Sequence, residues 1–205
     1  GSCGGGVAIS SVISDFTFME QSSKLFVNSP NALAGNHIEN CDTSSAAYQA
    51  QAGNVDFVCE GEEAVLANIR NLITLLRENN ENHAFSEDGQ DDMHSLLENF
   101  NENIKDPAVA LAQIADAGKF VETKLEFGKD MVTGLMLLNG VTVGVVANRV
   151  AQYDNDGKVA SKYEGVLTTD GCDKAASLVK FCDAFSIPVV TFTNLVENQI
   201  IRNSY

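Results

Sequence analysis

The clearest hydrophobic periodicity lies in "GEEAVLANIRNLITLLRENN", residues 61–80. Val65, Leu66, Ile69, Leu72, Ile73 and Leu76 recur at steps of three and four, which predicts an amphipathic helix. Glu62 and Glu63 fall in its first turn, where the helix dipole favours negative charge. Asn68, Arg70 and Asn71 are expected on the solvated side. A second long helix is expected in "TTDGCDKAASLVKFCDAFS", residues 168–186, with Ala175, Leu178, Val179 and Cys182 on one face. "DPAVALAQIADAG" carries Asp106 as cap, Pro107 at the first helical position and Gly118 as stop. "SPNALAG" repeats that grammar with Ser29, Pro30 and Gly35, and so predicts a short helix. "DTSSAAYQAQAG" offers capping side chains at 42–45 and a stop at Gly53, and "VAISSVIS" reads as a short helix of small residues.

Between the helices the period falls to two. Strands are expected at 15–20, 24–29, 55–60 and, in "KFVETKLEF", 119–127. "MVTGLMLLNGVTVGVVANR" reads as two strands joined at Asn139-Gly140, a type I′ hairpin signal. "IPVVTFTN" is nearly continuous in apolar residues, which predicts a strand buried on both faces. Strands alternating with helices place the chain in the α/β class. One stretch breaks the pattern. "ENNENHAFSEDGQDDMHSLLENFNEN" is acidic and Asn-rich, and is expected to be a linker with one helical turn near residues 93–100.

Composition narrows the function. The chain has 205 residues, enough for one large domain or two small ones, and 44% of it is hydrophobic. The formal net charge is −15, from 28 acidic and 13 basic residues, which argues against nucleic acid and anionic membrane surfaces as partners. No apolar run approaches the roughly 20 residues that span a bilayer. The five cysteines, Cys3, Cys41, Cys59, Cys172 and Cys182, form no CxxC pair. With no signal-peptide pattern, they predict reduced, mostly buried thiols in a cytoplasmic protein.

Candidate chemistry is sparse. In "GSCGGGVAISS" three glycines, Gly4, Gly5 and Gly6, precede a helix. Successive backbone N–H groups there can hold an oxyanion, and a plain tight turn is the alternative. Neither GxxxxGK[ST] nor GxGxxG after a strand is present. His83 and His94 lie in the acidic stretch, whose spacing fits no compact metal site, and His37 stands apart. "DNDG" at 154–157 suggests a calcium loop, but the register puts Gln152 first and Tyr163 twelfth, so a hairpin turn is expected. Asp15 is expected to begin a strand rather than act as a base. No metal site is expected in this chain.

Five segments in order resemble the carboxyltransferase subunit of biotin-dependent acyl-CoA carboxylases and decarboxylases: "GSCGGGVAISSVISDFTFM", "KLFVNSPNAL", "DPAVALAQIADAGKFVE", "MVTGLMLLNGVTVGVVANR" and "DKAASLVKFCDAFSIPVVTFTN". The resemblance implies an α/β fold of the crotonase-like (ClpP/crotonase) type, a ββα superhelix, with parts of two tandem domains. Residues 1–78 would be the C-terminal part of the first domain, 79–105 the acidic linker, and 106–205 the N-terminal part of the second. By the same resemblance the chain is an internal fragment that starts at the first oxyanion turn and stops short of the second.

The implied chemistry needs no side-chain base. By the resemblance, carboxybiotin on a carrier would release CO₂ and leave a biotin enolate, and that enolate would take the proton from the carbon next to the thioester. The acyl-CoA enolate would then attack CO₂, and backbone N–H pairs, one from each domain, would stabilise the two enolates. Gly5 and Gly6 are the implied oxyanion donors, with Gly4 shaping the turn. Implied partners are acyl-CoA, a biotin carboxyl carrier protein, a biotin carboxylase subunit and further copies in a homo-oligomer. The alternatives are a non-catalytic acyl-CoA-binding or assembly piece, and a crotonase-superfamily hydratase or isomerase that uses a carboxylate near the turn.

Overall fold

The computed structural model describes residues 1–34, 37–76, 97, 99–154 and 156–193. The chain divides into two compact units. Unit 1 comprises Gly1–Leu72 and Lys124–Phe127; unit 2 comprises Ile73–Thr123 and Gly128–Tyr205.

In unit 1, β1 (Ser2–Gly4) runs parallel to β3 (Lys24–Phe26), with Cys3 opposite Leu25 and Gly4 opposite Phe26. Helix α1 (Gly6–Val12) follows β1 directly. β2 (Phe18–Glu20) pairs in parallel with β4 (Phe57–Cys59), and the facing rings of Phe18 and Phe57 stack with centroids 4.5 Å apart. α2 (Ala46–Gln51) starts where the Ser45 hydroxyl accepts from the Tyr48 amide. Ala8, Met19, Leu25, Ala46, Ala50 and Val55 bury one another as the core. Small side chains dominate it, so the elements approach closely.

The predicted helix at 29–35 is absent over its described residues. Residues 30–34 form turns, the Ala32 amide donates to the Ser29 carbonyl at 3.1 Å, and Asn31 takes a left-handed φ of 65°. The Asn31 side chain accepts from the Ile38 amide at 2.9 Å, a local bond that competes with helix. Gly35 lies outside the described residues.

α3 (Gly61–Leu76) is the long helix the periodicity predicts, but its buried stripe is rotated. Leu72 and Leu75 are buried, whereas Leu66 and Ile73 are more than half exposed. Asn68, expected on the solvated side, is half-buried and donates to Cys59 Sγ at 3.4 Å and to the Ala64 carbonyl. Most of the acidic stretch, with His83 and His94, lies outside the described residues. Its described end forms the short helix α4 (Phe100–Asn103).

Unit 2 is built on a four-stranded sheet in the order β10-β7-β6-β5. β5 (Phe120–Thr123), β6 (Met131–Leu138) and β7 (Val141–Asn148) are antiparallel neighbours, and β10 (Val189–Phe192) adds in parallel to β7. The β6–β7 turn is at Asn139 and Gly140, both with positive φ, as a type I′ turn requires. Their amides donate to the two carboxylate oxygens of Asp116 at 2.9 and 2.7 Å.

α5 (Pro107–Ile114) covers one face of the sheet, where Leu111 and Ala115 pack with Val132, Met136, Val143, Val145 and Ala147. α6 (Thr169–Ala184) covers the other; a Cβ on Gly144 of β7 would stand 2.5 Å from Cys182 Sγ. Two-sided cover explains why β6 and β7 read as mostly apolar on both faces. β10 reads the same way, yet Val189 is exposed and Val190 and Phe192 are only half-buried. These exposures do not match the expectation of two buried faces. Among the described residues β10 stands last in the sheet order, where α5 and α6 cover β6 and β7 more fully than β10.

On α6 the buried residues are Gly171, Lys174, Leu178, Phe181 and Cys182, while Val179 is exposed. Burial pushes the Cys182 thiol up to about 11, so it stays protonated. No disulfide is present among the described residues; Cys59 and Cys182 are buried, but Cys41 is exposed, against expectation. β8 (Ala151–Tyr153) and β9 (Val159–Lys162) pair antiparallel. In the expected turn between them Asp154 Oδ1 accepts from the Asp156 and Lys158 amides; Asn155 lies outside the described residues.

Unit 2 also buries charge. Arg149, only 1% exposed, donates from Nε to Asp106 Oδ1 at 2.9 Å, and from Nη2 to both oxygens of Glu122 at 3.1 and 3.0 Å. Its Nη1 reaches the Lys129 carbonyl at 3.3 Å. Asp106 also caps α5 at the Ala108 amide and accepts from the Tyr153 amide. One guanidinium thereby joins the start of α5, β5 and the end of β7.

Candidate functional site: the glycine turn

The candidate site is the passage from β1 to α1. Pairing with β3 carries the chain to Gly4, whose absent side chain leaves room for Phe26: a Cβ there would stand 2.6 Å from the ring. Gly5 then takes φ 64°, ψ −140°, a conformation only glycine adopts without strain. This reverses the chain direction and starts α1 at Gly6. Beyond Gly6 a Cβ would meet nothing within 4 Å, so the space over the turn is open.

The amides of this turn differ. Gly5 N–H donates to the Phe26 carbonyl at 3.0 Å, and Ala8 N–H donates to the Gly5 carbonyl at 3.1 Å. Gly6 N–H and Val7 N–H, the first two helical amides, have no acceptor among the described residues. The open donor pair is therefore Gly6 with Val7, while Gly5 anchors the turn to β3. Sequence spacing could not reveal this, because the Phe26 carbonyl is brought alongside only by strand pairing.

Carboxylates near these elements are tied to neighbours. Asp42 accepts from Lys24 Nζ and from the Ser44 hydroxyl, which hold its carboxyl below the usual range. Glu20 is lowered by its bonds to Ser22. Asp56 is raised by burial, against the pull of Lys124. Asp15 is exposed in a bend before β2, not in the strand it was expected to begin. Among the described residues no group of three His, Cys, Asp or Glu is placed to hold a metal ion. Among the described residues the turn leaves two backbone N–H groups without an acceptor, a kind of group that can donate to an anionic oxygen.

Beside it runs a mostly apolar cleft of about 290 Å³, lined along α1 by Ala8, Ile9, Val12 and Ile13 and opposite by Leu25 and Phe26. Val7, Ile9 and Ile13 are more than half exposed.

The Carboxyl transferase domain family model matches residues 1–196. This chain belongs to that family. The carboxyl transferase match agrees with individual relatives. The chain is 28% identical over 205 residues to the methylmalonyl-CoA carboxyltransferase 12S subunit of Propionibacterium freudenreichii subsp. shermanii, covering 95% of this chain and 37% of the relative. It is 30% identical over 207 residues to the propionyl-CoA carboxylase beta chain of Roseobacter denitrificans, covering 95% and 39%. A methylmalonyl-CoA decarboxylase subunit alpha from Veillonella parvula is 28% identical over 207 residues. The chain thus spans under two-fifths of the length of these relatives.

Among solved structures, transcarboxylase 12S with methylmalonyl-coenzyme A and methylmalonic acid bound superposes with a TM-score of 0.71 at 24% identity. That match covers 95% of this chain and 38% of the other. The shared architecture is the crotonase-like α/β fold.

Proposed function

We propose that this chain supplies part of a carboxyltransferase that moves a carboxyl group between carboxybiotin and an acyl-CoA. The observation that carries the reading is the glycine turn, with two unpaired helical amides, in a chain of the carboxyl transferase domain family. Gly4 lets the turn close against Phe26, Gly5 reverses the backbone, and the Gly6 amide with that of Val7 receives the thioester oxygen as the acyl-CoA enolate forms. A preorganised donor of this kind is worth roughly 2.7–4 kcal/mol in comparable acyl-transfer sites. The donors are backbone, so no titrating side chain limits them.

Carboxybiotin is the co-substrate that brings the carboxyl group, and it arrives on a biotin carboxyl carrier protein charged by a biotin carboxylase subunit. Both directions of transfer fit the relatives' names, which include a carboxylase and a decarboxylase. Assembly into a homo-oligomer and a cytoplasmic setting belong to the same reading, and the domain division at 1–78, 79–105 and 106–205 is retained as part of it. Among the described residues no helix is long and apolar enough to cross a membrane.

The test is isothermal titration of the chain with acetyl-CoA and methylmalonyl-CoA, followed by transfer of labelled carboxyl from methylmalonyl-CoA to free biotin. Thioester binding lost on Gly6→Pro supports the reading, because proline suits the first helical position but removes its N–H. Binding without transfer favours the non-catalytic alternative. A chain that binds neither thioester refutes the site.

A further inference from the structure

α1 is a poor helix on its own. It has seven residues, opens with Gly6 and contains Val7, Ile9, Ser10, Ser11 and Val12. Two turns of such composition are marginal in water, so ties at its ends must place it. The N-terminal tie is the Gly5–Phe26 bond described above. At the C-terminal end the Ser11 carbonyl accepts from the neighbouring Ser14 hydroxyl at 2.6 Å and from the Thr17 hydroxyl at 2.8 Å, and Ser11 Oγ meets Cys3 Sγ at 3.5 Å. Of these, Thr17 links α1 to β4 through Asp56, the residue that precedes that strand.

Thr17 is itself held by Asp56. Its amide donates to Asp56 Oδ2 at 2.8 Å, and its carbonyl accepts from the Asp56 amide at 3.0 Å. Asp56 is 8% exposed, and its other oxygen faces Lys124 Nζ at 3.5 Å. Lys124 comes from the four-residue segment that unit 1 takes from the later part of the chain. The segment is firmly seated: Lys124 N–H donates to the Asp56 carbonyl at 3.2 Å, and Nζ donates to the Gly53 carbonyl. A Cβ on Gly53 would stand 3.0 Å from the Phe127 ring, so ring and backbone are in close contact. Lys124 also holds a left-handed φ of 50°, a cost the surrounding bonds must offset.

We propose that Lys124 is a positioning residue for the glycine turn, acting through Asp56 and Thr17 on the last turn of α1. The ammonium fixes the carboxylate, the carboxylate fixes Thr17, and the Thr17 hydroxyl fixes the helix that displays the Gly6 and Val7 amides. This rests on the proposed function for its consequence, but not for its geometry.

The experiment uses the full chain, with amide proton and nitrogen NMR signals of Gly6, Val7 and Thr17, and acetyl-CoA as the titrant. Lys124→Met should shift or broaden the Gly6 and Val7 signals and weaken acetyl-CoA binding about fivefold or more. Lys124→Arg, which keeps a cation on Asp56, should return both toward wild type. If Lys124→Met does not fold, Thr17→Val provides the same test, since it removes only the hydroxyl link to Ser11; it should move the same two signals. Gly6 and Val7 signals unmoved in a folded Lys124→Met or Thr17→Val chain overturn the positioning role. If the wild type itself fails to bind acetyl-CoA, the functional reading falls, and the amide signals alone still decide for or against Lys124.

Discussion

Replacing Arg149 by Met tests the charge cluster at the centre of unit 2. The substitution keeps an unbranched side chain of similar reach, so the cavity term is small. It deletes the Nε bond to Asp106, both Nη2 bonds to Glu122 and the Nη1 bond to the Lys129 carbonyl. Side-chain exposure is 1% for Arg149, 4% for Asp106 and 12% for Glu122, so water cannot replace the lost donor. Leaving a buried charge without its partner costs roughly 3–5 kcal/mol, out of a total stability of about 5–15 kcal/mol.

The loss has a pH signature. Burial already pushes the Glu122 carboxyl up, and Arg149 is the largest influence pulling it down, with Lys174 next. Without Arg149 it moves further above its unfolded value. A raised carboxyl contributes stability that is fully present below the unfolded value, about 4.3, and is lost as pH rises through the folded value. The deficit of the variant should therefore be largest near pH 7–8 and shrink toward pH 4–5. Urea unfolding followed by circular dichroism measures it, with hydrogen exchange on β6 and β7 peptides reporting unit 2 itself. A deficit below about 1 kcal/mol at neutral pH, or one that grows as pH falls, would refute the reasoning.

Three other outcomes follow from the same structure. Gly5→Ala places a side chain at φ 64°, ψ −140°, and should cost about 1–3 kcal/mol and lower thioester affinity; an unchanged chain would mean the turn is not constrained as described. Asp116→Ala removes the acceptor of the Asn139 and Gly140 amides and should cost about 1–2 kcal/mol, with faster hydrogen exchange confined to the β6–β7 turn. Leu111→Ala, at a position with 0% exposure beneath β6 and β7, should lower stability by about 2–5 kcal/mol in a denaturant titration.

Local grammar in the chain accounted for the elements whose signals are carried by their own residues. Asp106-Pro107 starts α5, Ser45 starts α2, and Asn139-Gly140 turns β6 into β7, because each cap or turn is completed within a few residues. The same grammar misled at 29–35, where the Asn31 side chain binds the Ile38 amide and its backbone turns left-handed. It put Leu72, Leu178 and Cys182 on buried faces correctly but also Leu66, Ile73 and Val179, which are exposed, because three- and four-residue spacing defines several adjacent faces and only the neighbours choose among them. β10 reads like β6 and β7 in sequence, but among the described residues it stands last in the sheet order and is partly exposed, a fact of topology rather than of composition.

The glycine turn divides in the same way. Consecutive glycines before a helix start were enough to mark a backbone able to reverse and present amides, since that freedom belongs to the residue type. Which amides remain open was decided by β1 lying beside β3, where the Phe26 carbonyl takes the Gly5 N–H and leaves those of Gly6 and Val7. Lys124, Asp56 and Thr17 carry no motif at all. Their connection to α1 exists only after distant segments fold together, because hydrogen bonds between residues far apart in the chain leave no periodic trace along it.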